Sequence, residues 1–183
     1  MRCMRMAKTR SWFAVLLTSL TAAVAVGIAP PAAAAGTPIG NLGETLRVEF
    51  GDFVADVTVH DVLPAEVPPG WGWNGSPRWR ALGGPWRANV TVHVISAPNP
   101  YKLALSSTFS GVTPYADAYA AKRTDAPDAL DKALLNAPPG STVTGGVYWD
   151  VYRALVTNVV MINPQTGTHL AQWNIWQPGA PLP

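Results

Sequence analysis

Cysteine is nearly absent, and the one present, Cys3, lies in the N-terminal leader. The rest of the chain therefore holds no disulfide, no thiolate nucleophile and no cysteine-ligated metal. A lipid-anchored bacterial export product would also need a cysteine after its cleavage site. Histidine is scarce, with three copies, and charged residues make up 13% of the chain, which leaves no block of like charge beyond the leader. The nucleophile elbow G-x-S-x-G and the zinc pattern H-E-x-x-H are both missing. After residue 29 no apolar run is long enough to span a bilayer.

The leader carries what the rest lacks. Arg2, Arg5, Lys8 and Arg10 precede an uncharged apolar run from Trp12 to Ala29, which closes on Pro30-Pro31 and four alanines. Ala33 and Ala35 supply the small residues that a signal peptidase reads, so cleavage is expected after Ala35, with Gly36 opening the mature chain. Cleavage after Ala34 is nearly as good. A retained membrane anchor is the competing reading, but the run is barely long enough and contains Thr18, Ser19, Thr21 and Gly27. The expected organisation is a secretory signal peptide over 1–35 and one domain over 36–183, exported to the extracellular space.

Nine basic residues remain beyond the leader (thirteen less four) against all eleven acidic ones, so the mature chain is near −2, whereas the whole chain is +2. With no Lys/Arg cluster left, nucleic acid is not an expected partner.

Alternation of apolar and polar residues dominates 36–183. Leu46, Val48 and Phe50 alternate with Arg47 and Glu49, and Gly51-Asp52 follows as a turn. Phe53, Ala55, Val57 and Val59 share one face, and Trp86, Ala88, Val90, Val92 and Val94 another. Further strands are expected over Leu103 to Phe109, Tyr115 to Ala121, Val143 to Tyr152, Ala154 to Asn163 and Thr168 to Trp176. Pro164-Gln165-Thr166-Gly167 reads as a turn between the last two. A short helix is expected within Thr124 to Ser141, with Asp125 as cap, Pro127 in the first turn, and Leu130 and Leu134 on one face. Seven or eight short strands with frequent turns predict an all-β, antiparallel sandwich or barrel.

No catalytic constellation stands out. Ser106 and Ser107 fall in an expected strand without a neighbouring base. His60 and His93 occupy outward positions, where a solvated imidazole is the plain reading. With Asp56 or Asp61 they are the only residues on which a hydrolytic or metal-dependent enzyme could be built. The expectation is no enzyme, no cofactor and no metal.

Tryptophan is the informative excess. The segment Leu63 to Pro85, rich in Pro and Gly, holds Trp71, Trp73 and Trp79, with Arg78 and Arg80 flanking the last. Exposed Trp beside Arg is characteristic of recognition surfaces. The competing reading is a loop that folds over the sandwich and buries these rings as a lid. Trp71, Trp73, Arg78, Trp79 and Arg80 are the candidate binding residues. Asn74-Gly75 reads as a turn rather than a glycosylation acceptor.

Four segments carry a family resemblance: Ile39 to Leu46, Trp86 to Val92, Gly146 to Val151, and Leu170 to Trp176. In this order and spacing the chain resembles the mycobacterial secreted immunogenic antigen family, also described as immunoprotective extracellular proteins. The resemblance spans roughly Gly36 to Pro178. It implies an immunoglobulin-like antiparallel β-sandwich released into the medium, with no catalytic residues to carry over. The loop bearing Trp71, Trp73 and Trp79 is richer in tryptophan than the family pattern. The expected function is thus a secreted non-enzymatic binding module or antigen at the bacterium–host interface, its partner a host protein, a glycan or a lipid. The alternatives are an enzyme built on the outward His and Asp residues, and a structural component of the cell envelope. An unpaired edge strand would support a dimer, and charged edge residues would oppose one.

Overall fold

Two sheets hold most of the regular secondary structure in a computed structural model, which describes residues 36–71 and 74–175. In chain order the elements are β1 (Ile39–Asn41), β2 (Thr45–Phe50), β3 (Phe53–Pro64), β4 (Gly84–Ser96), α1 (Pro100–Ser106), β5 (Thr108–Val112), β6 (Ala118–Tyr119), α2 (Leu130–Leu134), β7 (Thr142–Val151), β8 (Asn158–Ile162) and β9 (His169–Asn174). One sheet runs β2-β3-β4-β7 and the other β1-β9-β8-β5-β6. They pack face to face as an immunoglobulin-like β-sandwich. All pairings are antiparallel except β1 with β9, which is parallel.

The period-two pattern is obeyed where it is strongest. Phe53, Ala55, Val57 and Val59 on β3, and Ala88, Val90, Val92 and Val94 on β4, are all buried. Opposite them lie Phe109, Val159, Met161, Ala171 and Trp173. The β2–β3 hairpin closes through Gly51-Asp52, with Phe50 paired to Phe53 and Gly51 at φ +61, which glycine adopts without strain. A bulge between Val59 and Asp61 then shifts the phase, so Val62 rather than Asp61 turns inward.

Edges are managed differently at the two sides of the four-stranded sheet. On β2, Arg47 and Glu49 are exposed, and Arg47 Nε donates to Asp56 Oδ1 at 2.9 Å. On β7, Gly145 to Val151 is buried without interruption, because α2 and the residues before it cover the strand. Gly146 N–H donates to Asp128 O at 2.7 Å and Lys122 N–H to Tyr148 O at 2.8 Å.

Three expectations need correction. Leu103 to Ser106 belongs to a helix, not a strand, because Asn99 and Pro100 start one: Asn99 Oδ1 accepts from Tyr101 N–H at 3.0 Å, and proline stands in the first turn. The strand expected over Tyr115 to Ala121 shrinks to two residues. Thr113 Oγ1 accepts from Tyr115 and Asp117 N–H and Ala116 turns to φ +65, so the preceding residues form a tight turn. Asp125 does not cap α2, whose N-cap is Ala129 without a side-chain bond. The turn at 164–167 forms as expected, with Asn163 Oδ1 accepting from Gln165 and Thr166 N–H and Gly167 at φ +72.

Tyr119 ties one end of the second sheet to the chain leaving β7. Its buried hydroxyl donates to Ala154 O at 3.0 Å and accepts from Arg153 and Ala154 N–H, both at 3.1 Å. Tyr119→Phe is expected to lower unfolding stability by about 1–3 kcal/mol, because three backbone groups lose one shared partner. Urea unfolding measures it, and a change below about 0.5 kcal/mol would show that water replaces the hydroxyl without loss.

Candidate functional site

The Pro/Gly-rich connection from β3 to β4 lies against the segment before α2, and Asp125 joins them. Its carboxylate is buried and takes two contacts from the loop and one from α2, and its backbone carbonyl takes a third from the loop. Trp71 N–H donates to Oδ2 at 2.9 Å and Arg78 Nε to Oδ1 at 2.6 Å, while the Trp71 indole N–H donates to the Asp125 carbonyl at 2.6 Å. Lys132 Nζ stands 3.9 Å from Oδ1. The Trp71 amide, followed by the Arg78 and Lys132 cations, holds the Asp125 carboxyl below the usual carboxylate range despite the opposing cost of burial.

Trp71 is therefore anchored at both its backbone and its indole nitrogen, yet the residue is 75% exposed. Lys132 Nζ sits 5.9 Å from its ring centre. Trp79 behaves in the opposite way. It is half-buried against Ala126, Ala129 and Tyr148, its indole N–H is enclosed and meets no hydrogen-bond partner among the described residues, and Lys122 Nζ stands 5.8 Å from its ring. Arg80 is exposed and reaches no carboxylate among the described residues. Trp73 lies outside the described residues, as do Ala33 and Ala35 of the expected cleavage site, whereas Gly36 is the first described residue and is exposed. Asn74-Gly75 forms the expected turn, Gly75 at φ +62, and Gly70 N–H donates back to Gly75 O at 3.0 Å.

The two readings of the loop thus divide between its tryptophans: Trp79 is packed as a lid and Trp71 is presented outward. Of the other tryptophans, Trp149 and Trp173 are fully buried, Trp86 is half-buried, and Trp176 lies outside the described residues.

The outward histidines do not assemble a centre. His60 Nε2 is 2.8 Å from Thr91 Oγ1, and His93 Nδ1 is 2.9 Å from Thr142 Oγ1. Asp56 faces His93 across the ladder but is bonded to Arg47, and Asp61 faces Asn89. Both imidazoles join a ladder of threonine hydroxyls on the outer face, with Thr45 to Thr58 at 2.7 Å and Thr91 to Thr144 at 2.9 Å. Ser107 Oγ is buried and donates to Leu103 O at 2.8 Å. Among the described residues no three His, Cys, Asp or Glu side chains gather as a metal site.

Beside Asp125 a groove of about 480 Å³ opens between α1, α2, β5 and the 121–125 segment. Arg78, Lys122, Arg123 and Lys132 line it, over a floor that includes Phe109, Leu130 and Leu134, with Leu105 at its rim. Sequence reasoning missed this cluster. Asp125 bonds to residues 54 and 47 positions earlier, and a lone Thr-Asp-Ala-Pro reads locally as a helix start.

Asp125 makes the loop's anchorage sensitive to acid. Its folded value is lowered, so the stabilisation is complete above the unfolded carboxyl value of about 4 and is lost as the pH falls through the lower folded value. Asp125→Asn is expected to release Arg78 and flatten this acid-side dependence. Protease cleavage between residues 65 and 83 as a function of pH measures it, and an unchanged acid profile in the variant would exclude Asp125 as its source.

The architecture defines an immunoglobulin-like β-sandwich with an aromatic–cationic loop clamped beside one sheet edge. No family model matches the sequence, and no curated protein does. Among solved structures the fold is that of MPT63, a secreted protein from Mycobacterium tuberculosis. The two chains are 23% identical with a TM-score of 0.59, over 76% of this chain and 98% of MPT63. The likeness is one of fold, and it agrees with the secreted mycobacterial resemblance carried by the sequence segments. No helix among the described residues is long and apolar enough to cross a membrane.

Proposed function

We propose that this chain is a secreted, non-enzymatic binding protein that meets an extracellular partner through Trp71, supported by the exposed Arg78 and Arg80. One observation carries the reading: Trp71 is both strongly exposed and doubly bonded to Asp125. An exposed ring held in one orientation loses little freedom on association, and such preorganisation favours affinity. Tryptophan and arginine together are the side chains most enriched among residues that dominate binding energy. The leader before Gly36 supports export, and the missing catalytic constellation supports a role in binding. An antigen exposed at the bacterium–host boundary fits both.

The test compares the 36–183 protein with Trp71→Ala in binding to host-cell surfaces, envelope glycans and lipid vesicles. Trp71→Ala is expected to keep its fold, judged by circular dichroism, and to bind about tenfold or more weakly. Equal binding by both proteins would overturn the role of Trp71. Turnover of a substrate that a single substitution abolishes would overturn the non-enzymatic reading.

A further inference from the structure

Nine basic side chains lie beyond the leader, all of them described, and six reach a carboxylate: Arg47, Arg78, Arg87, Lys102, Lys132 and Arg153. Arg80, Lys122 and Arg123 reach none among the described residues. Two of these three, adjacent in sequence, stand on the groove beside α2. In a domain whose own net charge is near −2, this is a local positive excess beside an apolar surface.

The acidic groups at the groove do not cancel it. Asp125 is already satisfied by Arg78, Lys132 and the Trp71 amide. Asp131 is exposed and accepts from the Lys132 amide at 2.9 Å. The floor is hydrocarbon: Phe109, Leu130 and Leu134 are buried below it, and Leu105, itself 55% exposed, forms an apolar lip on α1. The proton of Ser107 is committed to Leu103 O, which leaves charge rather than that hydroxyl to hold a head group. The volume of about 480 Å³ lies in the usual range of small-molecule sites. A concave cleft of this size suits a single chain, whereas a bilayer would need a projecting apolar surface.

We infer that this groove binds a single-chain carboxylate amphiphile of the fatty-acid type, its head paired with Lys122 and Arg123 and its tail along Leu105, Phe109, Leu130 and Leu134. The inference deepens the binding reading and rests on it only for a non-enzymatic role. It does not need Trp71, which lies off the groove lining.

The experiment follows the fluorescence of dansyl-labelled undecanoate with the 36–183 protein, which contains the whole described core. Dodecanoate, dodecanol and dodecyltrimethylammonium serve as competitors. Saturable binding is expected, displaced by dodecanoate and at least about tenfold less well by the alcohol and the cation. Lys122→Glu combined with Arg123→Glu is expected to weaken it at least about tenfold, and Lys122→Gln with Arg123→Gln serves if the reversal does not fold. Leu105→Glu, at an exposed position, is expected to weaken it as well. Trp71→Ala is expected to leave it within about twofold, so this site and the Trp71 surface fail independently. Absence of saturation up to about 100 μM, equal displacement by the cation, or indifference to the charge changes would each overturn the inference.

Discussion

Trp149→Ala is expected to cost about 3–5 kcal/mol, a large share of the roughly 5–15 kcal/mol typical of a domain. Trp149 is fully buried on β7, opposite Trp86 on β4. Its indole N–H donates to Phe109 O at 3.0 Å, which links the two sheets through the core. Gly111 on β5 lies beside the ring: a Cβ there would stand 3.4 Å from the indole, an ordinary contact, but only 2.9 Å from Val156. Truncation leaves a large void and strands a buried carbonyl. Trp149→Phe should keep most of the packing and lose the bond, at a cost of about 1–2 kcal/mol. Urea unfolding of both variants separates the two contributions. A loss below about 1.5 kcal/mol for the alanine variant would show that the core collapses around the site, contrary to this account.

Gly145→Val is expected to carry the second large effect, and a local one. A Cβ on Gly145 would stand 2.7 Å from Leu130 Cα, 2.8 Å from Asp128 O and 2.9 Å from Leu130 N. These are backbone atoms and cannot swing aside, so the chain before α2 must lift from β7. The bond from Gly146 N–H to Asp128 O and the adjoining Ala129–Gly146 bridge would go with it. Overpacking of this kind costs about 1–3 kcal/mol. It would also uncover the β7 edge and displace the segment that bears Asp125, Leu130 and Lys132, which shape both the loop anchor and the groove. Hydrogen exchange at the Gly146 amide and proteolysis of residues 121–135 read the change. Native protection in the valine variant would mean that the segment is held from elsewhere. Gly145→Ala places the same Cβ and should show a weaker form of the same effect.

Both variants act on contacts that alternation alone could not reveal, and the same divide runs through the whole molecule. The inward faces of β3 and β4 were legible because side chains on a strand alternate between two sides, so a run such as Ala88, Val90, Val92 and Val94 declares its buried face. The turns at Gly51 and Gly167 were legible because a positive φ favours glycine wherever it occurs. Scarce cysteine, the small-residue leader and the lack of any catalytic pattern set the expected class. α1 was misread because Leu103 to Phe109 is apolar enough for either element, and the Asn99-Pro100 start had to be weighed against it.

The sequence by itself determined the period of the strands and the position of the main turns, since each depends on neighbours a few residues apart. Tertiary structure alone decided which tryptophan is shown and which is packed. Trp71 faces outward because Asp125, 54 positions later, takes its amide, whereas Trp79 finds Ala126, Ala129 and Tyr148 beneath it. It also decided that His60 and His93 end on threonines, and that Lys122 and Arg123 meet the lip of α1. Those outcomes rest on partners far apart in sequence, and only the folding of the two sheets brings them within bonding distance.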